Sequence, residues 1–135
     1  MNTVRLQVIS PKGVVYDGEC TMLEYNTTEG YVGVLPGHIA MTQILAPGKL
    51  AIYVEGKEQP IYAAVMSGVV TIMPDAVVLL TEIIELKENI DIERAKSSKE
   101  RAEKRMEERL EGFDLTRAEA SLERAKVRLE VAEIK

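Results

Sequence analysis

Histidine, cysteine and phenylalanine each occur once in these 135 residues, and tryptophan does not occur. A lone imidazole, His38, can build neither a His-rich metal site nor a pair of histidines that relays a proton. A lone thiol, Cys20, forms no internal disulfide, so a reducing compartment is expected. The opening MNTVRLQV has neither the basic nor the apolar block of a secretory signal, and export by that route is not expected. Long apolar runs are also missing. The weakly polar stretch over residues 61–73 is broken by Ser67 and Gly68 and falls short of the roughly 20 residues a membrane helix needs. Membrane association is therefore expected only through a partner. The formal net charge of -5 repels phosphate backbones, and no nucleic-acid partner is expected. What remains is 46% hydrophobic and 29% charged, enough for a packed, soluble fold of one domain or of a small domain with an appendage.

Two kinds of sequence meet near Glu88. All five prolines and every glycine except Gly112 precede it, interspersed with Val, Ile, Thr and Tyr, residues that suit a pleated, half-buried surface. Turn formers recur at Pro11-Lys12-Gly13, Asp17-Gly18, Pro36-Gly37, Pro47-Gly48, Glu55-Gly56-Lys57 and Pro74-Asp75, a spacing that predicts about ten short strands in a sandwich or barrel. Val4, Leu6 and Val8 alternate with polar neighbours, as do Leu50, Ile52 and Val54, so each of these strands has one buried face. The unbroken apolar run Val77 to Leu80 predicts a strand covered on both faces. Residues 1–88 thus read as one β domain, an antiparallel β-sandwich or a barrel.

Residues 89–135 contain no proline and balance twelve basic against twelve acidic side chains, the pattern of solvated helices. Leu115, Ala118, Leu122, Ala125, Leu129 and Ala132 recur at alternating steps of three and four, a narrow apolar seam. Ile92, Ala95, Ala102, Met106 and Leu110 form a weaker stripe that Lys99 interrupts. Asp91 and Asp114 are the expected N-caps, and Gly112 is expected to close the first helix in a left-handed conformation. The prediction is an antiparallel helical hairpin, each arm reaching roughly 30 Å. Its seam is thin, because an alanine methyl buries little surface and a buried leucine contributes only about 1.5–3 kcal/mol. A ligand at 100 times its dissociation constant stabilises the form that binds it by about 2.7 kcal/mol. Ligand on that scale decides whether such arms stay folded; the plainer reading is a permanent hairpin.

The run Gly30-Tyr31-Val32-Gly33-Val34-Leu35-Pro36-Gly37-His38-Ile39, the later Ser67-Gly68 and Pro74-Asp75-Ala76-Val77, and Ile90-Asp91-Ile92-Glu93-Arg94-Ala95 together resemble the epsilon subunit of bacterial rotary ATP synthases, in order and spacing over essentially the whole chain. Ala40 and Tyr31 depart from that pattern, which has proline and commonly an acidic residue there. The resemblance implies a non-catalytic subunit of the central stalk. Its sandwich would grip the gamma subunit and rest on the c-ring, with Tyr31, Gly37 and His38 in the contact loop. Its helices would act as a brake on ATP hydrolysis by extending toward the alpha and beta subunits. The implied location is peripheral, on the cytoplasmic face of the bacterial plasma membrane. For the folded hairpin the resemblance further implies regulatory binding of ATP, with magnesium as an optional companion, through Glu85, Ile90, Asp91, Arg94, Ala95, Arg101, Arg124 and Arg128. No catalytic cofactor is implied.

Each of these residues also has an ordinary structural explanation. Asp91 is a natural cap. Arg124 and Arg128 lie four apart on one helical face, a geometry that suits a polyanion, but charge-rich helical faces are mostly just solvated. His38 has no nucleophile or orienting carboxylate nearby in sequence, and a role in loop structure or partner contact is expected. Gly30, Gly33 and Gly37 lack the Lys-Ser/Thr of a phosphate loop and serve tight β geometry. The competing classes are a free-standing ATP sensor of the same architecture, a small β-sandwich enzyme, and an adaptor that dimerises through its helices.

Overall fold

The computed structural model describes residues 2–108 and 111–135, the side chain of Phe113 excepted. Ten strands come first: β1 (Val4–Ser10), β2 (Gly13–Cys20), β3 (Met22–Thr27), β4 (Gly30–Val34), β5 (Met41–Leu45), β6 (Gly48–Tyr53), β7 (Ile61–Val65), β8 (Gly68–Ile72), β9 (Ala76–Thr81) and β10 (Ile84–Leu86). A single 3-10 turn, Lys87–Asn89, leads into α1 (Ile92–Glu107) and α2 (Gly112–Ala132). Hydrogen bonding runs in the order β10-β7-β6-β3-β5-β8-β9-β1-β2, with β4 added on β3. Between β3 and β5 the path narrows to one residue pair, Thr27 with Leu45. There the sheet divides into two leaves that face each other, since Leu23, Tyr25, Leu50 and Val65 of one leaf share a core cluster with Leu6, Val8, Val70 and Leu79 of the other. The result is a β-sandwich, in which Val4, Leu6 and Val8 form the buried face that their alternation predicts.

Pairing is antiparallel except between β1 and β9, which run parallel with Ile9 opposite Leu80. Two local expectations fail. Asp17 and Gly18 lie inside β2 and are not a turn; Asp17 instead pairs with Arg5 of β1 at 2.5 Å, and a Cβ on Gly18 would meet the Tyr16 hydroxyl at 3.2 Å. The run Val77 to Leu80 has one covered face, because Val77 and Leu79 enter the core while Leu80 is 50% exposed. A continuous apolar run does not by itself require two covered faces when the outer one is left open.

Strand β7 is covered on both sides. Ala63 and Val65 face the sandwich core, whereas Ala64 and Met66 pack on Ile90 and on Val127 and Val131 of α2. Helix α2 therefore lies on the outer surface of the β6–β7 region, and α1 packs on α2. The interhelical seam buries Ala95 and Ala102 of α1 and Ala118 and Ala125 of α2. Ile92, expected in the stripe, is 40% exposed, and Leu110 lies outside the described residues. Asp91 caps α1 as expected, its side chain accepting from the Arg94 amide at 3.0 Å. Asp114 does not cap α2: the N-cap is Glu111 and Asp114 sits in the first turn, where its charge complements the helix dipole. Gly112 is left-handed (φ 56) but opens α2 instead of closing α1.

Candidate functional site

A cleft of about 600 Å³ opens where the hairpin meets the sheet body. One wall is β10 and the residues before it, Glu82, Ile83, Ile84 and Glu85; the helical side supplies Asn89, Asp91, Arg94, Ala95, Ser98 and Arg128; Ser10, Pro11 and Lys12 close the far side from the β1–β2 turn. The parallel register explains that third wall. With Ile9 beside Leu80, the residues that follow β1 and those that follow β9 emerge next to each other.

The N-cap aims the helical wall. Asp91 takes extended backbone angles (φ -82, ψ 99), accepts from the Arg94 amide through its side chain, and accepts from the Ala95 amide through its carbonyl at 3.0 Å. That arrangement turns Arg94 and Ala95, in the first turn of α1, onto the cleft. Arg128 reaches it from α2 and is bound by the Glu85 carboxylate, both side chains being half-buried. Among the described residues neither Lys12 nor the Arg94 guanidinium forms an ion pair. The cleft thus sets three cations, two of them outside any ion pair, among the carboxylates of Glu82, Glu85 and Asp91 and beside the apolar Ile83 and Ile84: a setting for a ligand with charged and apolar parts.

Not all of the sequence-derived positions converge. Ile90 is buried behind the cleft against Ala64, Met66, Val127 and Val131, where it anchors the entry to α1. Arg101 donates to the Ser98 hydroxyl at 3.2 Å and Arg124 to the Ser121 hydroxyl at 3.3 Å, and neither lines the cleft. Lys12, Ser98, Asn89, Glu82 and Ile83 were not anticipated. For Lys12 the sequence offers only a turn signal, and the parallel pairing that brings it to the cleft has no local signature.

In the remaining loop, the His38 amide donates to the Leu35 carbonyl at 3.1 Å and the His38 Nδ1 donates to the Ile39 carbonyl at 2.9 Å. The ring is thereby engaged in loop structure. Tyr31 belongs to strand β4, and its hydroxyl accepts from the Lys49 amide at 3.0 Å. It passes so close to Gly48 that a Cβ there would stand 2.7 Å from the hydroxyl. Burial pushes the Cys20 thiol up to about 11, so it is no nucleophile at neutral pH. Among the described residues no group of His, Cys, Asp and Glu is arranged to hold a metal ion, and no helix is long and apolar enough to cross a membrane.

The outer face of the second leaf carries an apolar ladder. Ile44 pairs with Val69, Val69 with Leu80, Leu80 with Ile9 and Ile9 with Val14. Ile44 is 64% exposed and Val14 60%. Five consecutive strands thus present one continuous stripe to solvent, a feature that marks a contact surface.

The fold is thus a ten-stranded sandwich with a terminal helical hairpin, a polar cleft between them and an exposed apolar stripe. Two family models divide the chain: residues 3–87 match the beta-sandwich domain of the ATP synthase delta/epsilon chain and residues 88–133 its long alpha-helix domain. The chain belongs to this family. Its relatives include the ATP synthase epsilon chains of Alkalihalophilus pseudofirmus (41% identical over 78% of each chain) and Halalkalibacterium halodurans (43% over 80% of each). Among solved structures, a chain of the Euglena gracilis mitochondrial ATP synthase matches with a TM-score of 0.86 and 25% identity, over 98% of this chain and 82% of that one. A chain of the Tetrahymena thermophila mitochondrial ATP synthase shares the fold, with a TM-score of 0.68 at 10% identity, over 96% of each. This is a non-catalytic subunit of an ATP synthase, with no active site of its own.

Proposed function

We propose that the chain is a central-stalk subunit of a proton-translocating ATP synthase that couples the membrane rotor to the catalytic head and restrains ATP hydrolysis through its C-terminal helices. The Euglena structure is of an ATP synthase described with its F1 and c-ring, and the Tetrahymena structure of a central stalk and c-ring. The apolar ladder from Ile44 to Val14 supports contact with the gamma subunit, since a stripe of that length needs a partner of matching apolar shape. Leu35 (57% exposed) and Ile39 (80%), beside Gly37 and His38, support contact of that end with the c-ring. The complex, and not this chain, brings it to the membrane, on the cytoplasmic face in a bacterium. The brake would act when the helices leave the body and meet the beta and alpha subunits.

The folded hairpin binds ATP as a regulatory ligand on this reading, with or without magnesium. The observation that carries it is the convergence of Glu85, Asp91, Arg94, Ala95 and Arg128 on one cleft. Phosphates would meet Arg94 and displace Glu85 from Arg128, while the base would rest on the apolar wall. Ile90 then serves by packing behind the site. Arg101 and Arg124 would have to swing from Ser98 and Ser121 to reach it. Isothermal calorimetry of the purified chain with ATP tests this. Measurable binding that Asp91→Ala and Arg94→Ala weaken is expected; absence of heat at millimolar ATP removes the nucleotide role.

A further inference from the structure

The first 88 residues hold five basic side chains against ten acidic ones, so a cation in the sheet body is uncommon and its placement informative. Arg5 pairs with Asp17, and Lys49 and Lys87 both stand over the Tyr62 ring at 5.9 Å from its centroid. Lys57 lies between β6 and β7, away from the cleft. Lys12 is the one basic residue of the body that lines the cleft, and among the described residues its ammonium has no hydrogen-bond or ion-pair partner. Its backbone is held: the Lys12 amide donates to the Ser10 hydroxyl at 3.3 Å, and that hydroxyl donates to the Gly13 carbonyl at 3.4 Å. Arg94 lines the same cleft from the helical side, and among the described residues its guanidinium forms no ion pair either. Lys12 and Arg94, one from each half of the molecule, line one cavity without forming an ion pair with its carboxylates Glu82, Glu85 and Asp91, and are placed to share a polyanion.

We propose that Lys12 binds the phosphate groups of the nucleotide from the sheet side, so that the ligand ties the β1–β2 turn to the helical hairpin. The inference rests on the nucleotide reading above and adds a second point, away from β10, at which ligand binding is felt by the body. A nucleotide resting on Ile83 and Ile84 already touches the body beside β10; the Lys12 contact adds a charged tie to the β1–β2 turn. With it, the phosphates stabilise the docked arrangement itself, because only there do Lys12 and Arg94 face the same ligand.

Calorimetry with ATP on the full chain, on Lys12→Gln, on Lys12→Arg and on Lys57→Gln tests it. Lys12 is exposed, so the substitutions leave the fold intact, and Lys57→Gln removes an equal charge elsewhere. Lys12→Gln is expected to weaken ATP binding about five- to tenfold, as loss of one charge-assisted contact does, with Lys12→Arg and Lys57→Gln within about twofold of the unaltered chain. Unchanged affinity in Lys12→Gln overturns the proposal, as does an equal loss in Lys57→Gln, which would be bulk charge, or in Lys12→Arg, which would be shape. Absence of binding by the unaltered chain overturns the nucleotide reading together with it; binding that ignores Lys12 overturns this inference alone.

Discussion

At the scale of single residues, the chemistry of this chain is that of neutral groups kept neutral. Burial pushes the Cys20 thiol from an ordinary 9.0 to about 11 and the Tyr25 phenol from 10.0 to about 12. For Tyr53 the hydrogen bond to Glu24 does the same first and burial second, again to about 12. A group whose protonated form is favoured by the fold binds more protons folded than unfolded, so its stabilisation is complete below the unfolded value and lost as pH rises past it. Urea midpoints are therefore expected to be flat through neutral pH and to fall from about pH 9 to pH 12, first with the thiol and then with the phenols. Tyr25→Phe should flatten the upper part of that decline. A decline confined to the range below pH 9 would refute the assignment. The Ser67-Gly68 pair was legible as a motif but its cause was not: a Cβ on Gly68, at φ 150, would stand 2.0 Å from the Leu80 carbonyl oxygen of the neighbouring strand. Steric demand of that kind arises from pairing, which sequence alone does not display.

At the scale of elements, the alternating spacing of Leu115 through Ala132 correctly marks a helical seam, and Ala118 and Ala125 are buried in it. What the spacing hides is a second buried line on the same helix. Val127 and Val131, one turn apart, face β7 while the alanines face α1. Two valines four residues apart are too few to register as a stripe, yet they fix α2 to the body. A polar tie assists: the Lys87 ammonium donates to the Ile134 carbonyl near the end of that helix. Val131→Ala removes a fully buried side chain from the smaller of the two clusters, and a loss of about 1–2 kcal/mol in docking is expected. Hydrogen exchange reads the effect by element. Amides of α1 and α2 should lose protection while those of β8 and β9 keep theirs. Equal loss throughout would mean that hairpin and body open as one unit, and would remove the separable brake.

At the scale of the molecule, two cores of unequal size share strand β7. The larger lies wholly within the sandwich and contains no helical residue, whereas the smaller joins Ala64 and Met66 to Ile90, Val127 and Val131. The body therefore has what it needs to fold alone, and the hairpin does not. A chain ended after Glu88 is expected to retain its strands by circular dichroism and to lose ATP binding, since Asp91, Arg94 and Arg128 leave with the helices. Assembled with the catalytic head, that truncated chain should permit more ATP hydrolysis than the full chain, and the difference should shrink as ATP rises. Ligand at 100 times its dissociation constant holds the docked hairpin by about 2.7 kcal/mol, comparable with the contribution of one or two buried valines. Equal hydrolysis with both chains at every ATP level would leave the molecule a passive link in the rotor, with its hairpin permanently closed.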